Sequence, residues 1–235
     1  MSRVFKAELY KLAHSRMFMI ALFGMCCATI GTGFNDPQSK DFARVLTTFS
    51  NILPILTAIL VIHFAQEDLH EGTLKNYVCS GVSRTSIYFG KLLGTFVGTS
   101  ILFVVEALTS LGLCLYLGGN FAPDLAAFIP TVLLQLVVCL NYTVIFFFIG
   151  TLISNSGIAT ILSLLYVFFG GMAFRFAGNY IHLSGLASYA LPEIEGKVDA
   201  LSISSVTMLH LGIVTIVIAV FALLGSYLNS LKDVK

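Results

Sequence analysis

Residues 127–177 read AFIPTVLLQLVVCLNYTVIFFFIGTLISNSGIATILSLLYVFFGGMAFRFA. Two apolar runs, 127–153 and 157–177, are divided only by the tight polar turn Ser154-Asn155-Ser156. Each run reaches the roughly 20 residues that a helix needs to cross a bilayer. The apolar residues are continuous and do not alternate, which argues against a β-barrel. The rest of the chain agrees. Of 235 residues 57% are hydrophobic and 11% charged, with mean hydropathy +0.92, where an ordinary soluble domain carries about 25% charged residues. A core of this size could not bury that much apolar surface under a polar exterior. The composition excludes a soluble globular enzyme, a secreted disulfide scaffold and a disordered chain, and leaves an integral membrane protein.

Working outward, six runs are long enough, or nearly so, to span: 17–34, 46–66, 92–117, 127–153, 157–177 and 206–228. The expected fold is therefore an all-α integral membrane protein with six transmembrane helices, forming a single domain over 1–235. Pro54 lies inside the second run and predicts a kink there. Six crossings put both termini on one side. With the N-terminus inside, nine Lys and Arg (Arg3, Lys6, Lys11, Arg16, Lys75, Arg84, Lys91, Lys232, Lys235) face the cytoplasm and four (Lys40, Arg44, Arg175, Lys197) face out. The positive-inside rule then places both termini in the cytoplasm of a plasma-membrane protein.

Three segments lie between or before the spans. Residues 1–16 predict an amphipathic helix at the membrane interface. Phe5, Leu9 and Leu12 recur at i, i+4 and i+7, with Lys6, Lys11 and His14 toward the other side. Residues 178–205 are half apolar and predict one or two short re-entrant or interfacial helices, broken by Pro192 and Gly196. The third segment, 67–91, is a charged excursion. There Gln66-Glu67-Asp68-Leu69-His70-Glu71-Gly72-Thr73-Leu74-Lys75-Asn76-Tyr77-Val78-Cys79-Ser80-Gly81-Val82-Ser83-Arg84-Thr85 leads to Gly90-Lys91. Thr73 suits an N-cap, Leu74, Tyr77 and Val78 share a face, Gly81 suits a stop, and Ser83 can cap the next helix. A short helix held in the cytoplasm has no lipid for its apolar face, so a protein groove is its natural partner. The plain alternative is a solvated loop.

The pattern E-x-G-T-L-K, then G-V-S-R, then G-K at the mouth of a span, resembles permease subunits of type-2 ABC exporters. The opening Lys6-Ala7-Glu8-Leu9-Tyr10-Lys11-Leu12 is similar to the start of small bacterial bacitracin-resistance and lantibiotic-immunity permeases. The resemblance implies that 67–91 holds the coupling helix that docks on an ATPase. Glu67, Glu71, Gly72, Thr73, Leu74 and Tyr77 would then dock or support. Arg84 and Lys91 would anchor the inner end of span three, and residues 3–16 would be the family's amphipathic connecting helix. It further implies separate ABC ATPase subunits as partners, a second permease chain (the same or related), and ATP and Mg on the ATPase. No cofactor is expected on this chain, which has no GxxxxGK[ST]. Leu183-Ser184-Gly185-Leu186 begins like an ABC signature sequence, but its outer, apolar setting makes that a coincidence.

Within the spans, Gly90, Gly94 and Gly98 repeat every four residues and give the third helix a flat face for close packing, within the subunit or across a dimer. Thr95, Thr99, Glu106 and Ser110 form a separate polar stripe. A charged acid at a helix centre costs about 2.5–3.5 kcal/mol on insertion scales. Glu106 therefore faces protein or water, is paired, or is protonated. It either lines a translocation route or is a neutral carboxyl bonded to a neighbouring helix. Thr47 and Asn51 in span two are further route candidates, because spans two and five flank the route in the resembled family; the plain alternative is that they stitch helices together. His63 and His210 read as packing residues, and no HExxH or carboxylate cluster suggests a metal. The five cysteines, Cys26, Cys27, Cys79, Cys114 and Cys139, form no CxxC pair and suggest neither a disulfide nor a zinc site. The first run is not expected to be a cleaved signal, and Phe23-Gly24-Met25-Cys26 is a poor lipobox. Nothing catalytic is expected: no nucleophile elbow, carboxylate pair or aqueous Cys/His pairing occurs. A net charge of +1 gives no pointer to nucleic acid, and none is expected as partner.

Two functions fit these residues. The first is the permease of an ATP-driven exporter, with an amphipathic antimicrobial peptide as first choice of cargo and a hydrophobic drug or lipid next. The second is a stand-alone secondary transporter or membrane scaffold that uses Glu106 as proton carrier.

Overall fold

The computed structural model describes residues 2–35, 52–70, 77, 79–118, 125–181, 186–199 and 205–231. Every described element is helical. In order these are α1 (Ser2–His14), α2 (Arg16–Asn35), α3 (Leu53–His70), α4 (Arg84–Tyr116), α5 (Leu125–Leu152), α6 (Ser156–Tyr180), a 3-10 turn (Leu186–Tyr189), α7 (Leu191–Asp199) and α8 (Ser205–Leu231).

The boundaries follow local chemistry. Lys11 and His14 close the last turn of α1, where cations favour the helix C-terminus, and the His14 ring meets the Tyr10 carbonyl at 3.0 Å. Ser15 interrupts the helix. Its Oγ accepts from the Phe18 amide (3.4 Å), and α2 leaves at 58° to α1. Gly81 takes φ +78, a conformation that suits glycine, and Ser83 then caps α4 by accepting from the Ser86 amide at 3.3 Å. α4 starts eight residues before the expected span start at 92, because its first two turns are polar and escape a hydropathy window. Asn155 of the polar triplet caps α6, its Oδ1 accepting from the amides of Gly157 (3.0 Å) and Ile158 (3.2 Å).

Two prolines stand at helix starts. Pro54, expected to kink the second run, comes just after residues 46–51, which lie outside the described residues, and Pro192, expected to break the 178–205 stretch, follows the break at Ala190 between the 3-10 turn and α7. Each is the second residue of its helix, α3 or α7, where no intrahelical donor is needed and the fixed φ already suits the turn. Gly196, likewise expected as a breaker, lies within α7.

Among the described residues, α4, α5 (from Val132), α6 and α8 (Thr207–Ser230) are long and apolar enough to cross a membrane. The bent pair α1–α2 makes a fifth if counted as one span. The apolar part of α3, Leu53–Glu67, is shorter. Thus the described residues hold four or five candidate spans where six are expected, and residues 46–51 of the expected second span lie outside the described residues.

α5 is the hub, packing on α3, α4, α6, α7 and α8. One apolar core joins Tyr88, Tyr142, Phe146, Phe147, Leu191 and Ile218, and a second joins Leu12, Met25, Leu60, Leu102 and Cys139. The bundle has two ends. The near end carries α1, the C-termini of α3, α5 and α8, and the N-terminus of α4. The far end carries the 3-10 turn and α7, whose Leu191 and Ile194 are fully buried.

Candidate functional site

The described residues among those singled out for coupling, Glu67, Tyr77, Arg84 and Lys91, lie at the near end, beside a seat that α4 offers to α1. Val4, Glu8 and Leu12 recur every four residues, as do Gly90, Gly94 and Gly98. The two stripes meet in register. A Cβ placed on Gly90 would stand 2.8 Å from Val4 Cγ1, one on Gly94 2.9 Å from Glu8 Cβ, and one on Gly98 3.0 Å from Leu12 Cδ1. Only glycine allows this approach. The glycine face expected to pack on an unspecified helix therefore receives α1 of the same chain.

Of the expected apolar face of α1, Leu12 sits in this seat, together with Val4 beside that face. Val4, Glu8 and Leu12 are buried, whereas Phe5 and Leu9 are only half-buried and Tyr10 is exposed. The stripe opposite the glycines decides burial, even though one member is an acid. Glu8 lays its aliphatic stem on Gly94, and its carboxylate lies 3.8 Å from Lys11 Nζ. Lys11 in turn reaches Tyr77, its ammonium 6.0 Å from the ring centroid, at the outer limit of a cation–π contact.

Three side chains tie helix ends together beside this seat. Gln66 Nε2, at the last position of the expected second span, donates to the carbonyls of Gly150 (3.1 Å) and Ile153 (2.6 Å), closing the end of α5. Lys91, almost wholly buried, donates to the Phe64 carbonyl of α3 at 3.3 Å. Arg84 donates to the Ser230 carbonyl, one residue from the end of α8, at 3.1 Å. The start of α4 is thus bonded to α3 and α8, and the end of α3 to α5. Replacing Gln66 by Met keeps the volume but strips two helix-end carbonyls of their donor. Orphaning a buried acceptor costs about 1–3 kcal/mol, so the Tm of the detergent-solubilised variant should fall clearly below wild type.

Glu67 is half-buried at the end of α3, and its Oε2 has no hydrogen-bond partner among the described residues. Glu71, Gly72, Thr73, Leu74 and Val78 lie outside the described residues, as do Thr47 and Asn51. The remaining route candidates lie inside the bundle. Thr95, Thr99, Glu106 and Ser110 are all buried. Thr99 accepts from the Thr143 hydroxyl of α5 at 3.0 Å, and Thr57 of α3 meets Cys139 Sγ at 4.0 Å. Two turns along the Thr99 face, Glu106 follows the same seam between α4 and α5.

Sequence reading missed three acids and their partners. Glu8, buried, lies against Gly94 and beside Lys11. Tyr142, fully buried in α5, donates to Glu195 Oε2 of α7 at 2.7 Å. Glu193 pairs with Arg175 of α6 and packs on Gly171. The half-apolar character of 178–205 was legible; the partners of its described residues were not.

Residues 4–170, more than half of the chain, match a family model described as ABC-2 family transporter protein. The matched stretch runs from α1 into α6 and contains every near-end contact named above except that to Ser230. No curated protein matches.

Proposed function

We propose, from the premise that this chain belongs to the ABC-2 family of transporter membrane proteins, that it is the permease of an exporter driven from its near end. Membership makes it a multi-pass membrane permease component, of a family without an ATPase domain that works with separate ATPase subunits. Beyond that lies the reading proposed here. The near end faces the cytoplasm, the chain crosses six times, and residues 73–79 form a helix that docks on the ATPase. ATP and Mg bind the ATPase, and two permease chains flank the route. The cargo is an amphipathic antimicrobial peptide or, next, a hydrophobic drug.

The observation that carries this reading is the four-by-four seating of α1 on Gly90, Gly94 and Gly98, with Lys11 beside Tyr77. Closure of the ATPases displaces the docked segment. α3 and α4 flank that segment, and their ends are bonded to α5, α8 and each other. Packed helices move as rigid bodies, so a push at Tyr77 shifts α1, α3 and α4 together rather than bending one of them.

Glu106 separates this reading from a stand-alone proton-coupled transporter. As a buried seam residue between α4 and α5 it carries no cargo, and Glu106→Gln should keep ATP-dependent efflux at least in part. Complete loss on that substitution, with flux driven by a proton gradient and independent of ATP, would support the stand-alone transporter instead.

A further inference from the structure

A groove that the coupling contacts leave unused runs between α4 and α8, with α5 as its floor. Its volume is about 580 Å³, within the roughly 300–1,000 Å³ of sites that take drug-sized ligands. Phe89 and Phe96 of α4 stand on one wall, Ala219 and Leu223 of α8 on the other, and Val137 and Asn141 of α5 line the floor. Toward the near end α4 and α8 close on each other, where Tyr88 packs on Gly225. On the rim Leu93 and Leu223 are exposed. Both helices are long and apolar enough to span a membrane, so the groove opens to hydrocarbon.

The floor carries a polar group for which an acyl chain has no use. Asn141 and Thr215 are the polar side chains among the described residues that line the groove. The direction of the bond between them follows from one hydrogen. Thr215 donates its hydroxyl hydrogen to the Leu211 carbonyl at 2.8 Å, so toward Asn141 its oxygen can only accept. It accepts from Asn141 Nδ2 at 2.9 Å. The carboxamide is thereby fixed with Oδ1 turned away from Thr215, and Oδ1 has no hydrogen bond among the described residues. Asn141 is 4% exposed. An acceptor held in such an apolar setting gains from any donor that reaches it. The described lining has no ionisable side chain, which disfavours a charged ligand. One acceptor among aliphatic and aromatic walls matches a molecule that is neutral, mostly apolar and equipped with one hydroxyl. We propose that this groove binds a neutral, hydroxyl-bearing aromatic amphiphile taken up from the bilayer, whose hydroxyl donates to Asn141 Oδ1.

The test uses the full chain in phosphatidylcholine vesicles with a trifluoromethyl-diazirinyl benzyl alcohol and, in parallel, its methyl ether, which has no donor. After photolysis, labelled residues are mapped by mass spectrometry. The reference is Ile161, an exposed position on α6 outside the groove. Label at Phe96 and Ala219 relative to Ile161 should be about two- to tenfold higher for the alcohol than for the ether, the worth of one hydrogen bond. Asn141→Leu keeps the bulk, removes the acceptor and should bring the two ratios together. If Asn141→Leu does not insert, alcohol against ether in the wild type still decides. Equal ratios in the wild type would mean that the groove takes bilayer chains at large, and would overturn the proposal. So would a preference for the alcohol that survives Asn141→Leu. A disulfide joining two Leu223→Cys chains would do the same, by putting a second copy on the groove. Neither ATPase nor ATP enters the measurement, so its outcome is independent of the exporter reading.

Discussion

Gly94→Ala should abolish most transport while leaving the chain inserted in the membrane. The added methyl would stand 2.9 Å from Glu8 Cβ, closer than two carbons can pack. Glu8 Cβ is fixed to the α1 backbone, so no rotamer change relieves the contact. α1 must lift from α4, and overpacking of this kind costs about 1–3 kcal/mol. The whole chain does not unfold for that, because the two cores lie mainly among α2 to α8. Instead the link from Lys11 to Tyr77 is lost. Two variants show that sterics at the seat are responsible. Gly112→Ala, on the same helix with nothing within 4 Å, should behave as wild type. Adding Glu8→Gly to Gly94→Ala removes the offending Cβ and should restore part of the transport. Efflux by Gly94→Ala at the wild-type rate would show that α1 does not act through this seat.

The second large effect is at the segment itself. Tyr77→Ala removes the aromatic face beside Lys11, and Glu71→Lys reverses a charge in the stretch that precedes it. Each should abolish co-purification of the ATPase and ATP-driven transport, while the permease still inserts and keeps the Tm of the wild type. Loss of binding with retained Tm is the discriminating pair, since Tyr77 is half-buried and contributes to neither apolar core. An ATPase retained by both variants would remove residues 71–77 from the docking surface.

What the sequence disclosed and what it withheld divide along a physical line. Apolar runs report which segments avoid water: the runs at 157–177 and 206–228 lie inside observed helices, and those at 92–117 and 127–153 overrun theirs by one residue. Local capping chemistry was equally legible at Ser83 and Asn155, because a cap is made by neighbours in the chain. The Gly90, Gly94, Gly98 stripe announced a close helix contact but not its partner, since four-residue spacing is common to many helices and the match with Val4, Glu8 and Leu12 spans more than eighty positions. Charge alone gives no partner for Glu8 or Glu195: one lies against a glycine face and the other accepts from Tyr142, 53 positions away. Pro192 opens α7 just after the break at Ala190, because only a proline beyond the first turn costs a helix its hydrogen bond.

The account rests on work done by a second polypeptide at the near end. The direct measurement is reconstitution of the purified chain in vesicles, with and without an ABC ATPase that co-purifies with it, following cargo flux on addition of ATP. The account predicts no flux from the chain alone, ATP-dependent flux once the ATPase is present, and loss of that flux with Tyr77→Ala. Flux by the chain alone, driven by a proton gradient and indifferent to ATP, would contradict it.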